Sequence, residues 1–586
     1  MNKETRNLGL AILLSMAFVF GWNKFYVEPK LKAQKAIEAA AKANNPETVA
    51  MPASITADGA NTTSATPDAV AAPAQKVTRE EILSKAFAAN ERVKINTGKL
   101  HGSINLKGAS FDDLTLAEYK ETLEEDSKEV VLLSPRGTEN VYFTETGFLS
   151  SNTNTKLPNK DTIWSADKTE LKNNETLTLT WDNGEGLVFK KIITLDENYL
   201  FTVKDEVVNN TGNEIAIAPF SLVNRSKGNH TETYVSHEGA MALTNDILEL
   251  ATYDKTFEDK KIEYTGVKGW AAIGDKYWLT AIIPDQNLDT KYNINFKGYE
   301  KDGSKRFQVD MLGEAKKIAS GSSLSNTNYL YLGAKKVKLL DEYSHKYNIK
   351  LFDRTVDFGS LYFLTKPMFE ILHFFFNKIG NFGIAILCLT VVVRILLFPL
   401  ANMSYKSMAK MKKYMPEINK IKEKYATDKQ KQGTEMMKLY KEKRVNPASG
   451  CLPLFVQIPV FFALYKVLYV TIEMRHAPFF GWIKDLSEKD PTNVFNLFGL
   501  IPIIPPMWLP VIGVLPILYT LTMVLQQKLN PPATDPSQAM VMKWLPWIFL
   551  FIFASFPAGL VVYWIWNNIL SIIQQYIITK RVEEEK

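Results

Sequence analysis

The sequence predicts a multi-domain membrane protein: an N-terminal signal anchor, an all-β sandwich, and an α-helical core of five transmembrane helices, six spans in all. Three observations lead there. Apolar runs near the roughly 20 residues that cross a bilayer cluster after residue 380. The region before them alternates with period two. Between two of the runs, residues 401–446 hold thirteen Lys and Arg against five Asp and Glu, a balance of +8, whereas the 586-residue chain as a whole carries only +6. Membrane proteins keep such basic loops in the cytoplasm, so this loop orients the rest. The two cysteines, Cys388 and Cys451, lie in or beside apolar runs. That excludes a disulfide framework for the polar region and leaves it to burial alone.

In order along the chain, Lys3 and Arg6 precede the apolar stretch NLGLAILLSMAFVFGWNKFY. It ends in bulky Phe20, Trp22, Phe25 and Tyr26 rather than a small-x-small cleavage site, so residues 1–28 are expected to be an uncleaved anchor. Residues 29–78 are rich in Ala, then in Ala, Pro, Ser and Thr, and read as a flexible linker.

Residues 79–345 are expected to form the β-sandwich. Leu177, Leu179 and Trp181 alternate with Thr176, Thr178 and Thr180, and Asn183-Gly184 signals a turn before LVFKKIITL. Sites are poorly signalled there. His230 and His237, near Glu232, match no zinc spacing and read as solvated-loop residues; Trp270 and Tyr277 read as core rather than as a sugar or peptide groove. No nucleophile-elbow or phosphate-loop motif is present.

Residues 359–380 recur apolar at three and four but are interrupted by Lys366, Glu370 and Lys378, which suits an interfacial amphipathic helix. The second span, 381–400, carries one uncompensated charge, Arg394, roughly 20 Å in by helical rise. A charge there costs at least about 2.5 kcal/mol against lipid, so it is expected to face protein or water, unless it snorkels to the headgroups. Residues 401–448 read as an antiparallel helical hairpin broken at Thr427-Asp428, with Met408, Met411 and Met415 on one arm and Met436 and Met437 on the other. Such a face either packs on itself or receives apolar peptide while its positive side attracts anionic lipid or ribosomal RNA.

The third span, 451–473, contains Gln457, and Lys466 near its far end is placed to snorkel. A loop with Trp482 as interfacial anchor and a Pro-rich run fill 474–510, and the fourth span is placed at 511–528. After a cytoplasmic loop, 529–542, the fifth span at 543–556 is short enough to thin the bilayer locally. In the sixth, 558–579, Trp564, Asn567 or Asn568, Ser571 and Gln574 recur at helical spacing. This polar stripe either faces a wet cavity with Arg394 or forms an inter-helix hydrogen-bond seam. A short tail, 580–586, ends the chain.

LTVVVRILLFPL, the SMAKMKKYMPEINKIKEKY and KQGTEMMKLYKEKRVNP hairpin, GCLPLFVQIPVFFALYKVL, APFFGWIKDLSEKDP and FPAGLVVYWIWNNILSIIQQ follow one another between Gly359 and Arg581. In that order they resemble the YidC/Oxa family of membrane protein insertases. The N-terminal anchor and β region are similar to its Gram-negative form, whose extra domain is a periplasmic supersandwich. The resemblance implies a groove open to cytoplasm and lipid and closed towards the periplasm, lined by Arg394, Thr390, Gln457 and the polar stripe. Ile458, Phe461, Ile552 and Phe553 would be the apolar contacts along which a client helix slides. It further implies nascent integral membrane proteins as clients, with the Sec translocon, membrane lipids and, through the hairpin, the ribosome as partners. It implies no cofactor, metal, small-molecule substrate or catalytic residue, and places the chain in the inner membrane.

The function expected is therefore non-enzymatic insertion of membrane proteins. The rival is a secondary transporter or channel in which Arg394 binds an anionic solute. The other spans contain no acidic partner, no inverted repeat is visible, and the Met-rich hairpin would have no role there. A third reading, a carbohydrate-binding or enzymatic β domain with the helices as anchor, leaves Arg394 unexplained.

Overall fold

The computed structural model describes residues 77–152, 154–226, 236–443, 452–499, 501, 512–530 and 536–584. The expected anchor, nearly all of the linker, His230, Glu232, Cys451 and residues 502–511 of the Pro-rich run lie outside the described residues.

Helix α1, Arg79–Ala88, capped by Thr78, leads into two sheets of eleven and nine strands. The larger runs Lys261–Val267, Lys291–Lys301, Ser304–Gly313, Ile215–Ser226, Tyr142–Leu149, Ser110–Lys120, Leu100–Asn105, Arg92–Asn96 and Glu170–Leu171. Lys316–Ile318 pairs with Ile215–Ser226, and Glu129–Leu133 with Ser110–Lys120. The smaller runs Ile247–Thr252, Gly239–Thr244, Trp270–Gly274, Trp278–Pro284, Ser322–Ala334, Leu200–Asn209, Leu187–Leu195, Thr176–Asp182 and Ser165–Ala166. Burial follows the pleat: Leu187–Leu195 alternates buried and half-exposed along its whole length. Helix α2, Tyr253–Glu258, covers one end. Trp270 is fully buried and its indole N–H donates to the Lys350 carbonyl at 3.0 Å. His237 is not a solvated-loop residue: its ring bonds the Ala240 carbonyl at 3.1 Å, and burial lowers its pKa to about 4.

The sandwich is tied to the helical core by ion pairs. In α4, Tyr362–Ile379, Lys366 reaches Asp341 of α3, Val337–Lys346, at 2.6 Å, and Glu370 pairs with Lys338. Two of the charges that interrupt this amphipathic helix, Lys366 and Glu370, therefore dock it on the sandwich's last helix. Lys466, read as placed to snorkel from the far end of its span, has an acidic partner on the sandwich side. Its ammonium bonds the Asp357 carboxylate at 2.8 Å, and the His237 N–H donates to that same carboxylate at 2.9 Å.

The core helices are α5 (Phe382–Leu396), α6 (Phe398–Lys413), α7 (Met415–Lys424), α8 (Lys429–Glu442), α9 (Leu452–Val470), α10 (Val514–Leu529), α11 (Pro536–Phe553) and α12 (Ala558–Glu584). No single helix among them is long and apolar enough to cross a membrane; α5 and α6 qualify only together, as a pair bent by 69°. The straight span expected at 381–400 is thus broken at Leu397, where Pro399 opens α6 and cannot supply the N–H that would continue α5. The helix at the expected fifth span begins earlier than its apolar run. Pro536 starts α11 well before residue 543, at the first turn where its missing N–H costs nothing, and the helix reaches 18 residues. The third helix ends at Val470, so Glu473 sits in a separate turn, Ile472–Met474.

The loop after that turn collects the starts of three helices. Asn381 caps α5 through the Ile384 N–H at 3.0 Å and donates to the Phe479 carbonyl at 3.3 Å. At α10, Thr492 Oγ1 accepts the Val514 N–H at 2.9 Å and Asp490 Oδ2 accepts the Leu515 N–H at 2.8 Å. At α12, the Ala558 and Gly559 N–H groups donate to the carbonyls of Glu488 and Leu486 at 2.7 and 2.9 Å. Gly559 suits this close approach, since a Cβ there would stand 3.0 Å from the Leu486 carbonyl oxygen and press on the loop. The loop thus satisfies the helices' otherwise unpaired first amides.

Candidate functional site

Arg394 stands in the last turn of α5, where a cation opposes the negative end of the helix dipole. Its half-buried side chain crosses to α12. Nε donates to Asn567 Oδ1 at 2.9 Å, Nη2 donates to the Asn567 carbonyl at 2.8 Å, and Nη2 also bonds Ser571 Oγ. Ser571 Oγ donates in turn to the Asn567 carbonyl at 2.8 Å. Asn567 and Ser571 are buried on the face of α12 that meets α5. Among the described residues no carboxylate pairs with Arg394, so three neutral acceptors hold it while its charge stays uncompensated. The helix break three residues on puts this charge at the end of α5, nearer the basic loop than the unbroken span implied.

The other expected groove residues divide. Thr390 is buried, and its hydroxyl is spent on the Ile386 carbonyl of its own helix at 2.7 Å, so it does not face an opening. Gln457 donates to Tyr563 Oη at 2.6 Å. Asn568 is buried and turns away from Arg394 to donate to Thr522 Oγ1 of α10 at 3.1 Å. Trp564 joins an aromatic cluster rather than a polar face, its ring 5.3 Å from Phe461 and 5.8 Å from Phe553. Of the set, Arg394 and Gln574 line a concavity of about 560 Å³ between the α5–α6 bend and the last turns of α12. Most of the stripe is therefore an inter-helix seam, with Arg394 at its edge.

Of the four contacts expected for a client helix, Ile458 and Ile552 are exposed, each 42%. Phe461 is half-buried. Phe553 is not available: it is 3% exposed and stacked on Tyr519 with ring centroids 4.2 Å apart. The resemblance gives Phe553 as a client contact, and it does not show that Tyr519 of α10 covers this ring.

The hairpin also differs from expectation. Its first arm is two helices, because α6 stops at Lys413 ahead of Pro416. Met408 packs beside Ala401, Tyr405 and Ala409 of α6 and Ile578 and Val582 of α12, so α6 belongs to the core. Met411, Met415 and Met436 are half-buried, and Met437 is 54% exposed. Ile418 of α7 and Leu439 of α8 are the buried residues of those two helices.

Sequence reasoning missed Tyr563, Thr522 and Gln575. Gln575, buried and donating to Asn530 Oδ1 at 3.0 Å, follows Ser571 by one turn and was findable by spacing. Tyr563 is one aromatic among many and gave no signal.

Residues 92–371 match the YidC periplasmic domain family, and residues 374–585 match the 60Kd inner membrane protein family. The membrane protein insertase YidC of Rickettsia africae (strain ESF-5) is 46% identical over 582 residues, 99% of this chain and 100% of that protein. The same protein from Rickettsia prowazekii (strain Madrid E) is also 46% identical over 582 residues, with the same shares covered. A solved structure described as active YidC insertase with the first transmembrane domain resolved aligns with a TM-score of 0.33 at 18% identity, covering 83% of this chain and 92% of that one. With both of its parts matched and relatives nearly half identical from end to end, the chain belongs to the YidC family of membrane protein insertases.

Proposed function

We propose that this chain inserts integral membrane proteins into the inner membrane of a Gram-negative bacterium and helps them fold and assemble, alone or beside the Sec translocon, without covalent chemistry. The N-terminal stretch, α5 and α9 to α12 cross the bilayer, and the sandwich lies in the periplasm. The observation that carries the reading is Arg394: held by neutral acceptors through Nε and Nη2, unpaired with any described carboxylate, and at the edge of an opening.

A nascent span whose translocated flank is polar or acidic meets a barrier, because polar groups entering hydrocarbon lose their water. The Arg394 charge sits beside low-dielectric helices, where its field on an approaching carboxylate is much stronger than in bulk water. Its own hydrogen bonds go to neutral oxygens, so it attracts the flank without first breaking an ion pair. The 15-residue α5 spans about 22 Å against the roughly 30 Å bilayer core, so the path beside it is short. The loop that satisfies the starts of α5, α10 and α12 supports closure on the periplasmic side. A client span would leave past exposed Ile458 and Ile552, while α7 and α8, with Met437 outward, receive the apolar segment from the ribosome.

The test is insertion of a small single-span protein with an acidic flank into liposomes holding the purified chain, scored by protease protection. Protein-dependent protection that Arg394→Ala weakens supports the proposal. Protection no better than in protein-free liposomes, with the chain folded and clients soluble, rejects it.

A further inference from the structure

The concavity beside Arg394 has a second cationic end. Lys406 of α6 and Arg581 of α12 both line it, both are exposed, and neither has an ion-pair partner among the described residues. Arg581 lies ten residues beyond Ser571, about 15 Å further along α12. The wall between the two ends is apolar: Ile395, Phe398, Ile573 and Ile577 are all roughly half or more exposed. No Asp or Glu lines the opening. Glu584, about one turn beyond Arg581 in α12, is engaged with Lys580 at 3.9 Å instead. Deeper in, Gln574 Nε2 is a buried donor without a partner among the described residues.

A cationic mouth above an apolar trough of about 560 Å³ is complementary to one kind of molecule, an amphiphile with an anionic head and an alkyl chain. We infer that this concavity holds an anionic phospholipid, its phosphate at Lys406 and Arg581 and its acyl chain along Ile395, Phe398, Ile573 and Ile577. A zwitterionic lipid would fill the trough equally well but would bring an ammonium to the two cations, so the charge decides the headgroup. The lipid would seal the flank where α6 leaves α5 at the 69° bend, covering the apolar faces that the bend separates. The inference rests on the proposal that these helices stand in a membrane, but not on Arg394 acting on clients.

The experiment uses the full chain, so that its N-terminal apolar stretch is present to compete for the trough. The protein is reconstituted in vesicles of equal parts phosphatidylcholine and phosphatidylglycerol, extracted in mild detergent, and its retained lipids are counted by native mass spectrometry. Retention is expected to favour phosphatidylglycerol. Lys406→Gln with Arg581→Gln should lower that preference by about tenfold or more, as two cations near an anionic headgroup would. Lys429→Gln with Lys431→Gln, an equal loss of charge on α8, should leave it unchanged. A phosphatidylglycerol with a photoreactive acyl chain should label peptides containing Ile573 or Ile577. Equal retention of both lipids, an equal loss in the α8 pair, or labelling elsewhere overturns the assignment. Client insertion measured in vesicles of phosphatidylcholine alone separates the two readings: insertion there with no lipid preference would sink this inference and leave the insertase proposal standing.

Discussion

Arg394 and Asn567, 173 residues apart, are joined twice: the guanidinium donates to the side-chain oxygen of Asn567 at 2.9 Å and to its main-chain carbonyl at 2.8 Å. A rigid planar fork can make both bonds; a lysine ammonium at the same position would reach one. The contact fixes the end of α5 against the middle of α12 and aims a full positive charge at the opening without neutralising it.

Charge and geometry at this position are therefore separable. Arg394→Ala removes both and should cut insertion of clients with acidic flanks by about tenfold or more, the worth of a charge-assisted hydrogen bond. Arg394→Lys keeps the charge and should be milder. Asn567→Ala should lower thermal stability by about 1 kcal/mol with little client selectivity, since the main-chain acceptor at 567 remains. Matched clients that differ only in flank charge provide the measurement; equal losses on acidic and neutral flanks after Arg394→Ala would rule out electrostatic attraction.

Much of this was legible in advance, for local reasons. The strict alternation of Leu187–Leu195 announces a half-buried strand, and the one arginine in an apolar run announces a polar contact on a facing helix. Asn567 and Ser571 share a helix face by spacing alone. What sequence did not disclose is non-local. The start of α10 is fixed by acceptors 22 and 25 residues upstream, so propensity around Gly513 could not locate it. Lys466 meets an aspartate 109 residues away, and nothing near Lys466 hints at it. Phe553, a client contact by resemblance, is stacked on Tyr519, and Trp564, placed on the polar stripe by helical spacing, meets Tyr519 edge-on; neither motif nor spacing shows which rings a distant helix brings alongside.

Asp490 is a single fastener for two segments. One oxygen accepts the Leu515 N–H; the other accepts the Thr492 N–H at 3.0 Å, the Thr492 hydroxyl at 2.7 Å and the Trp482 indole N–H at 3.2 Å. Asp490→Ala strands these buried donors and should cost about 1–3 kcal/mol, lowering Tm and exposing the loop to protease. Asp490→Asn keeps an acceptor and should lose less. An unchanged Tm in the alanine variant would show that the loop does not set the start of α10.

Glu473 makes the junction of sandwich and core sensitive to pH. Burial against the sandwich pushes its carboxyl up to about 7 from an ordinary 4.5, with only partial relief from backbone N–H groups, that of Val337 among them, and from Lys336, and Oε2 has no hydrogen-bond partner among the described residues. Because the folded state holds this proton more tightly than the unfolded state, its contribution is fully present below about 4.5 and is lost as pH rises through about 7. Glu473→Gln keeps a neutral, isosteric group and should be more stable than the parent at about pH 8, by at most about 3 kcal/mol, and close to it at about pH 4. The comparison is the difference in Tm between variant and parent across that range, in which other titrating groups cancel. A difference independent of pH would mean that Glu473 has the same pKa folded and unfolded, so that burial does not shift it.

The hairpin divides at Tyr414, and the two halves predict different outcomes on deletion. Residues Ala401, Tyr405 and Ala409 of α6 pack against Ile578 and Val582 of α12. A cut starting at Ser404 would uncover that face and confound loss of function with loss of structure. Replacing only Met415–Glu442 with a short Gly/Ser linker leaves the cluster whole, because α7 and α8 bury Ile418 and Leu439 and otherwise present charge to solvent. That variant should keep the parent's Tm to within about 0.5 kcal/mol of stability, as changes at solvated surfaces do, yet insert clients several-fold more slowly. If insertion proceeds at the parental rate, client reception belongs to α6 or to the opening beside Arg394, and the exposed Met437 has no part in it. If Tm falls with activity, α7 and α8 brace the core, and the two roles separate only by point substitution: Met437→Ser removes the one outward methionine of α8 without touching Leu439.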